Sequence, residues 1–170
     1  LVIGLAFLPM AQIAHAEEPG IRFEVDRERF LLRAYDLAAA EPGPVIRVAT
    51  GSPAHPTPTG RFRMRNVVRD PAWNPGPVAR KYGGKPTQAS SQGPLGIAKI
   101  PFSRAYSLHG GATRYSVGKP ITLGCLRAED ESLERLLEWL TERQALGNLT
   151  QETSSERRQA ILRRIEVVIR

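Results

Sequence analysis

Cysteine is almost absent: Cys125 is the only one in 170 residues, which excludes an intramolecular disulfide. Histidine is scarce too, three in all, and with one thiol and scattered imidazoles there is no ligand cluster for a metal. No glycine-rich nucleotide motif, internal repeat or coiled-coil heptad is present, so neither a metal nor an organic cofactor is expected. Aromatic residues make up 6% and do not interleave with basic residues in a stripe, so nucleic acid is not an expected partner. Long hydrophobic runs are also missing. The apolar stretch at residues 1–13 falls short of the roughly 20 residues that a membrane span needs.

That stretch is followed by Ala14-His15-Ala16 and then Glu17-Glu18, the pattern of a signal-peptide core with its small-residue cleavage site. The expectation is a partial leader at 1–16 and a mature chain from Glu17, exported to the periplasm or cell envelope and carrying no membrane span. Residues 1–16 hold no charged side chain, so the formal net charge of +7 belongs to the mature part. A basic surface suits an anionic partner, and for an exported protein the cell wall is the nearest polyanion. About 150 residues bury one core and not two, so residues 17–170 are expected to form a single domain.

Ile21, Phe23 and Val25 alternate with polar residues and a charged turn follows, which predicts a hairpin over 21–36. A helix over 26–40 is the competing reading, because Leu31, Leu32, Tyr35 and Ala38 fit helical spacing as well. Residues 41–44 read as a loop, 45–49 as a short strand, and 51–60 as a second loop. Alternation resumes over 61–68, with Phe62, Met64 and Asn66 on one face. Residues 70–101 are rich in Pro, Gly and Ser and predict a long excursion or flap, of a length that is usually functional. A buried strand over 105–108 is expected to end at His109. Residues 129–140 are the clearest helix, with Leu133, Leu136, Leu137 and Leu140 on one face. For the C-terminal part, 141–170, the expectation is a helix over 154–164 and then a strand over 165–169. The fold class is therefore mainly β with one or two helices.

A thiol becomes a useful nucleophile beside a histidine, a cation or a helix N-terminus. Arg127 follows Cys125 by two residues, and the predicted helix opens soon after. Gly124 leaves the backbone open for amide groups to converge on an oxyanion. After a cleavage at Ala16 only His55 and His109 remain to pair with the thiol. His109, at the end of its strand before two glycines, is the candidate base, and His55 reads as a structural histidine.

Spacing leaves the Cys/His pair open, but the motifs around it are more specific. Leu108-His109-Gly110, Val117-Gly118-Lys119-Pro120 and Thr122-Leu123-Gly124-Cys125-Leu126-Arg127 resemble the signature of the L,D-transpeptidase (YkuD-type) catalytic domain, with thirteen positions from His109 to Thr122. Thr57-Pro58-Thr59-Gly60-Arg61-Phe62 resembles that family's strand entry. Pro71-Ala72-Trp73-Asn74-Pro75 and Gly93-Pro94-Leu95-Gly96 resemble landmarks of its flap. The likeness runs over about 21–140, in the family's order. It implies a closed or sandwich-like β-fold and an enzyme acting on peptidoglycan stem peptides. In that chemistry Cys125 is the nucleophile and His109 the base. The Gly110 carbonyl would orient the His109 ring, amides near Gly124 and Cys125 would hold the oxyanion, and Arg127 and Thr122 would contact substrate. Trp73 and Tyr82 would line the flap. One position departs from the pattern: Leu123 stands where the family usually has a second histidine, and leucine donates no hydrogen bond. Hydrolysis by an L,D-carboxypeptidase and a non-catalytic wall-binding module are the competing functions.

Overall fold

A computed structural model describes residues 20–151 and 156–170, so the expected leader lies outside the described residues. The predicted hairpin forms from β1 (Ile21–Asp26) and β2 (Leu31–Asp36), paired antiparallel. Ile21, Phe23 and Val25 point into the core, as period-2 alternation requires. The Asp26 carboxylate accepts hydrogen bonds from the backbone of Glu28 and Arg29 and tightens the turn. The competing helix over 26–40 is excluded by the ladder.

β3 (Glu41–Gly51) is longer than expected, because residues 41–44 join the strand instead of forming a loop. Pro42 and Pro44 are tolerated because the β2–β3 register shifts between Arg33 and Tyr35, and a bulge has no use for every N–H. The expected strand over 61–68 is broken at Met64-Arg65 into β4 (Gly60–Arg63) and β5 (Asn66–Arg69). The two halves pair with different neighbours, residues 166–169 and residues 98–99, and the break is what lets one run serve both. Within 70–101 lie a short helix, α1 (Pro77–Lys81), an isolated bridge between Trp73 and Thr87, and the start of β6 (Ala98–Pro101).

Three further strands build the middle of the sheet: β7 (Ser107–Ala112), β8 (Pro120–Thr122) and β9 (Leu126–Glu129). α2 (Asp130–Glu142) follows directly and buries Leu133, Leu136, Leu137 and Leu140. It starts one residue later and ends two residues later than predicted. β10 (Leu146–Gln151) follows, and in place of the helix expected over 154–164 the chain forms β11 (Arg157–Ile161); the first two positions of that expectation, 154 and 155, lie outside the described residues. Arg, Gln and Ala do favour a helix, but intrinsic propensity is a weak prior that tertiary pairing overrides. β11 instead lies between β10 and β5, which satisfy its backbone on both edges. β12 (Ile165–Ile169) returns to the sheet as predicted, parallel to β1.

The strand order is β10-β11-β5-β6-β7-β9-β3-β2-β1-β12-β4, with β8 beside β3. Because β4 at one edge runs straight into β5 near the other, the sheet must curl on itself. The result is a mainly β fold around one apolar core, with α2 packed against β3, β7 and β9. Among the described residues no helix is long and apolar enough to cross a membrane.

Candidate active site

β7 and β9 run parallel, with Leu108 opposite Leu126 and His109 opposite Arg127. Side chains alternate along a strand, so Leu108, Leu126 and Ala128 enter the core while Ser107, His109, Cys125 and Arg127 share the other face. Cys125 immediately precedes β9, and carrying the register one step back sets it across from Ser107, two positions before His109 on β7. The Ser107 Oγ lies 3.9 Å from the Cys125 Sγ. Ser107 was not among the expected site residues. Its signal was available: two positions before His109 in a strand is the same face.

His109 lies inside β7 and not at its end, as the sequence predicted. The ladder continues to Ala112 opposite Glu129, with a register shift after His109. At that shift the Gly111 N–H turns away from the ladder and donates to the Asp130 Oδ1 at 2.8 Å. Gly110 has no room for a side chain there: a Cβ would collide with the Asp130 carboxylate. Cys125 likewise does not sit at a helix N-terminus, because β9 separates it from α2.

The His109 Nδ1 is 2.8 Å from the Gly110 carbonyl oxygen. A carbonyl only accepts, so Nδ1 carries the proton and the Nε2 lone pair is left to receive one. Burial lowers the imidazole's pKa to about 4; the Gly110 carbonyl and the Asp130 charge oppose this, while Arg127 and Lys99 add to it. Burial also pushes the Cys125 thiol up, against hydrogen bonds from the Ser107 backbone and hydroxyl. Both groups are therefore uncharged at neutral pH.

The turn before Cys125 is held by Thr122. Its buried hydroxyl donates to the Cys125 carbonyl at 2.6 Å and accepts from the Gly124 N–H at 3.2 Å. Gly124 adopts φ +112° and packs under the Tyr106 ring, which a Cβ would strike. Arg127 directs its guanidinium to the Gly111 carbonyl, at 3.1 Å from Nε and 2.5 Å from Nη2. Leu123 is 36% exposed, on the rim of the same turn.

Of the flap residues, Tyr82 is exposed and meets His55, with its hydroxyl 3.3 Å from the His55 Nε2 and the rings edge to face. Trp73 packs against Gly84 within the excursion and bridges to Thr87. The contacts of the two rings are thus with His55, Gly84 and Thr87. Among the described residues no three His, Cys, Asp or Glu side chains gather as a metal site.

The sequence matches the family model for YkuD, the L,D-transpeptidase catalytic domain, over residues 21–156. No curated protein matches it. Among solved structures, L,D-transpeptidase 3 from Mycobacterium tuberculosis, in complex with a faropenem-derived adduct, superposes with a TM-score of 0.58 at 14% identity, over 89% of this chain and 60% of that one. Another L,D-transpeptidase from M. tuberculosis gives 0.55 at 14% identity, over 89% and 58%. The catalytic domain of the E. faecium enzyme gives 0.54 at 14% identity, over 89% and 98%. This chain thus spans about three-fifths of the mycobacterial proteins and nearly all of the isolated catalytic domain. At such identities the likeness is one of fold, and it agrees with the match to the family model. By that match, which covers most of its length, the chain belongs to the YkuD family of L,D-transpeptidase catalytic domains.

Proposed function

We propose that the protein is an exported L,D-transpeptidase that cleaves the tetrapeptide stems of peptidoglycan through a thioester on Cys125. In this reading residues 1–16 are a leader, 17–170 form the catalytic domain, and 70–101 act as the flap. The observation that carries it is the bond from His109 Nδ1 to the Gly110 carbonyl, which leaves Nε2 free as base on the face it shares with Cys125.

The chemistry follows from the residues. His109 Nε2 takes the thiol proton as Sγ attacks the amide carbonyl on the L-centre of diaminopimelate. The Ser107 hydroxyl, near Sγ, favours the forming thiolate. Amides of the 122–125 turn receive the oxyanion; losing one such donor typically costs about a hundredfold or more in rate. The imidazolium then protonates the departing nitrogen, the C–N bond breaks, and D-Ala leaves a thioester behind. An amine from a second stem attacks that thioester, His109 takes the amine's proton, and the thiol is restored. Arg127 supplies positive charge for a stem carboxylate, and Trp73 and Tyr82 line the flap over the peptide.

A second reading, hydrolysis of the same thioester, is favoured by Leu123. It stands exposed where the family pattern has a histidine, and it cannot donate a hydrogen bond to an incoming stem. The test is to incubate the mature protein and its Cys125→Ala variant with purified disaccharide-tetrapeptide and analyse products by mass spectrometry. Released D-Ala with cross-linked dimers, absent from the variant, is the expected result. Tripeptide without dimers would assign the carboxypeptidase. No product, with retained binding to sacculi, would assign a non-catalytic wall-binding module.

A further inference from the structure

The proposed base is held through one peptide unit, and Gly111, which supplies that unit's N–H, is gripped at both its N–H and its carbonyl, the latter in the next peptide unit. The Gly111 N–H donates to the Asp130 Oδ1 at 2.8 Å, and the Gly111 carbonyl accepts from the Arg127 guanidinium. The nitrogen of Gly111 belongs to the same peptide plane as the Gly110 carbonyl, which fixes the His109 tautomer. A peptide plane is rigid. Holding its N–H therefore fixes the direction of its C=O, and with it the His109 ring.

The same Asp130 oxygen also accepts from the Ile97 N–H at 3.1 Å, where the 70–101 excursion enters β6. Gly96 and Gly110 are both bare of side chains against it: a Cβ on either would meet Asp130 Oδ1. Two glycines from distant parts of the chain thus leave space for one carboxylate. The carboxylate ties the root of the excursion to the strand that carries His109.

We propose that Asp130 is a positioning residue for the proposed acyl transfer: it sets the tautomer and direction of His109 through the Gly110–Gly111 peptide and couples them to the root of the flap. This deepens the reading of His109 as base and rests on it. Two contributions are separable. The hydrogen-bond acceptor orients the peptide, and the negative charge favours the imidazolium. The other charged groups that face His109 are Arg127 on β9 and Lys99 on β6, both of which disfavour it.

Asparagine and alanine at position 130 divide these contributions. Asp130→Asn keeps an oxygen that accepts both N–H groups and removes the charge. Asp130→Ala removes both. The measurement is nitrogen-15 NMR of the His109 side chain across pH, alongside the rate at which iodoacetamide alkylates Cys125, with folding checked from the amide spectrum and Tm. The native protein and Asp130→Asn are expected to hold a single Nδ1–H tautomer, with the imidazole titrating at lower pH in the Asn variant. Folded Asp130→Ala is expected to show mixed tautomers and alkylation slowed about tenfold or more. A folded Ala variant that keeps the single tautomer and alkylates within twofold of native would overturn the proposal, as would an Asn variant with an unmoved titration. If the native protein fails to cleave tetrapeptide while the tautomer still responds to the alanine, the functional reading falls and the positioning role stands.

Discussion

A methyl group at position 124 would act twice. The backbone there has φ +112°, a region that residues with a Cβ rarely occupy, and the Cβ would strike the Tyr106 ring. Gly124→Ala is therefore expected to cost about 1–3 kcal/mol and to slow Cys125 alkylation, because the turn that presents the thiol must move. Urea unfolding and alkylation rates check this, and an unchanged rate would remove Gly124 from the site. His109 makes a prediction about pH. Its unfolded pKa is about 6.5 and its folded value about 4. Between them the unfolded chain binds a proton that the folded site refuses, so this contribution is full above pH 6.5 and lost as pH falls to about 4. The native protein is expected to lose more stability than His109→Gln between pH 7.5 and 4.5, measured by denaturant titration. Parallel losses would contradict the burial of a neutral imidazole.

At the scale of elements, what was legible in the sequence depended on local pattern. Ile21, Phe23 and Val25 against Arg22 and Glu24, and the four leucines of α2, each report their buried face through spacing alone, and both elements formed where predicted. The candidate pair rests on scarcity, because one thiol and, among the described residues, two histidines leave few choices. Long-range pairing was not legible. β11 became a strand because β5 and β10 border it, and nothing within 157–161 records those neighbours. Prolines 42 and 44 signalled a loop but sit beside a bulge. Strand alternation does place Ser107 on the face of His109, but its approach to Cys125 and that of Asp130 to Gly111 depend on how β7 and β9 are paired, which no local motif encodes. For α2, Leu136 is fully buried against the sheet. Leu136→Ala is expected to destabilise by about 2–5 kcal/mol with the alkylation rate of the folded fraction unchanged, since Leu136 packs in the core and does not touch the peptide that Asp130 holds. A loss under about 1 kcal/mol by thermal unfolding would show that the helix is not part of the core.

Across the whole molecule, sheet closure is reinforced by ion pairs that join distant segments. Asp36, at the end of β2, accepts two hydrogen bonds from Arg163, in the link between β11 and β12, at 2.7 and 2.9 Å. Arg143, just past α2, approaches the same carboxylate at 3.7 Å. The Arg163 guanidinium holds the Asp36 carboxyl down at about 2, against the effect of burial. An unfolded aspartate titrates near 3.9, so this stabilisation is complete above that pH and is lost as pH falls toward about 2. Asp36→Ala is expected to cost about 2–3 kcal/mol at pH 7, because two cations lose the carboxylate they share, and less at pH 2. Denaturant curves at both pH values check it, and equal costs would contradict it.

The proposed function requires Cys125 to form a covalent thioester with a stem peptide. Intact-mass spectrometry of the protein quenched in acid during reaction with disaccharide-tetrapeptide tests it most directly. The expected result is an adduct equal to the substrate less D-Ala, mapped to Cys125 by peptide digestion and missing from Cys125→Ala. An adduct-free protein in a sample that still releases D-Ala, or an adduct on another residue, would contradict it.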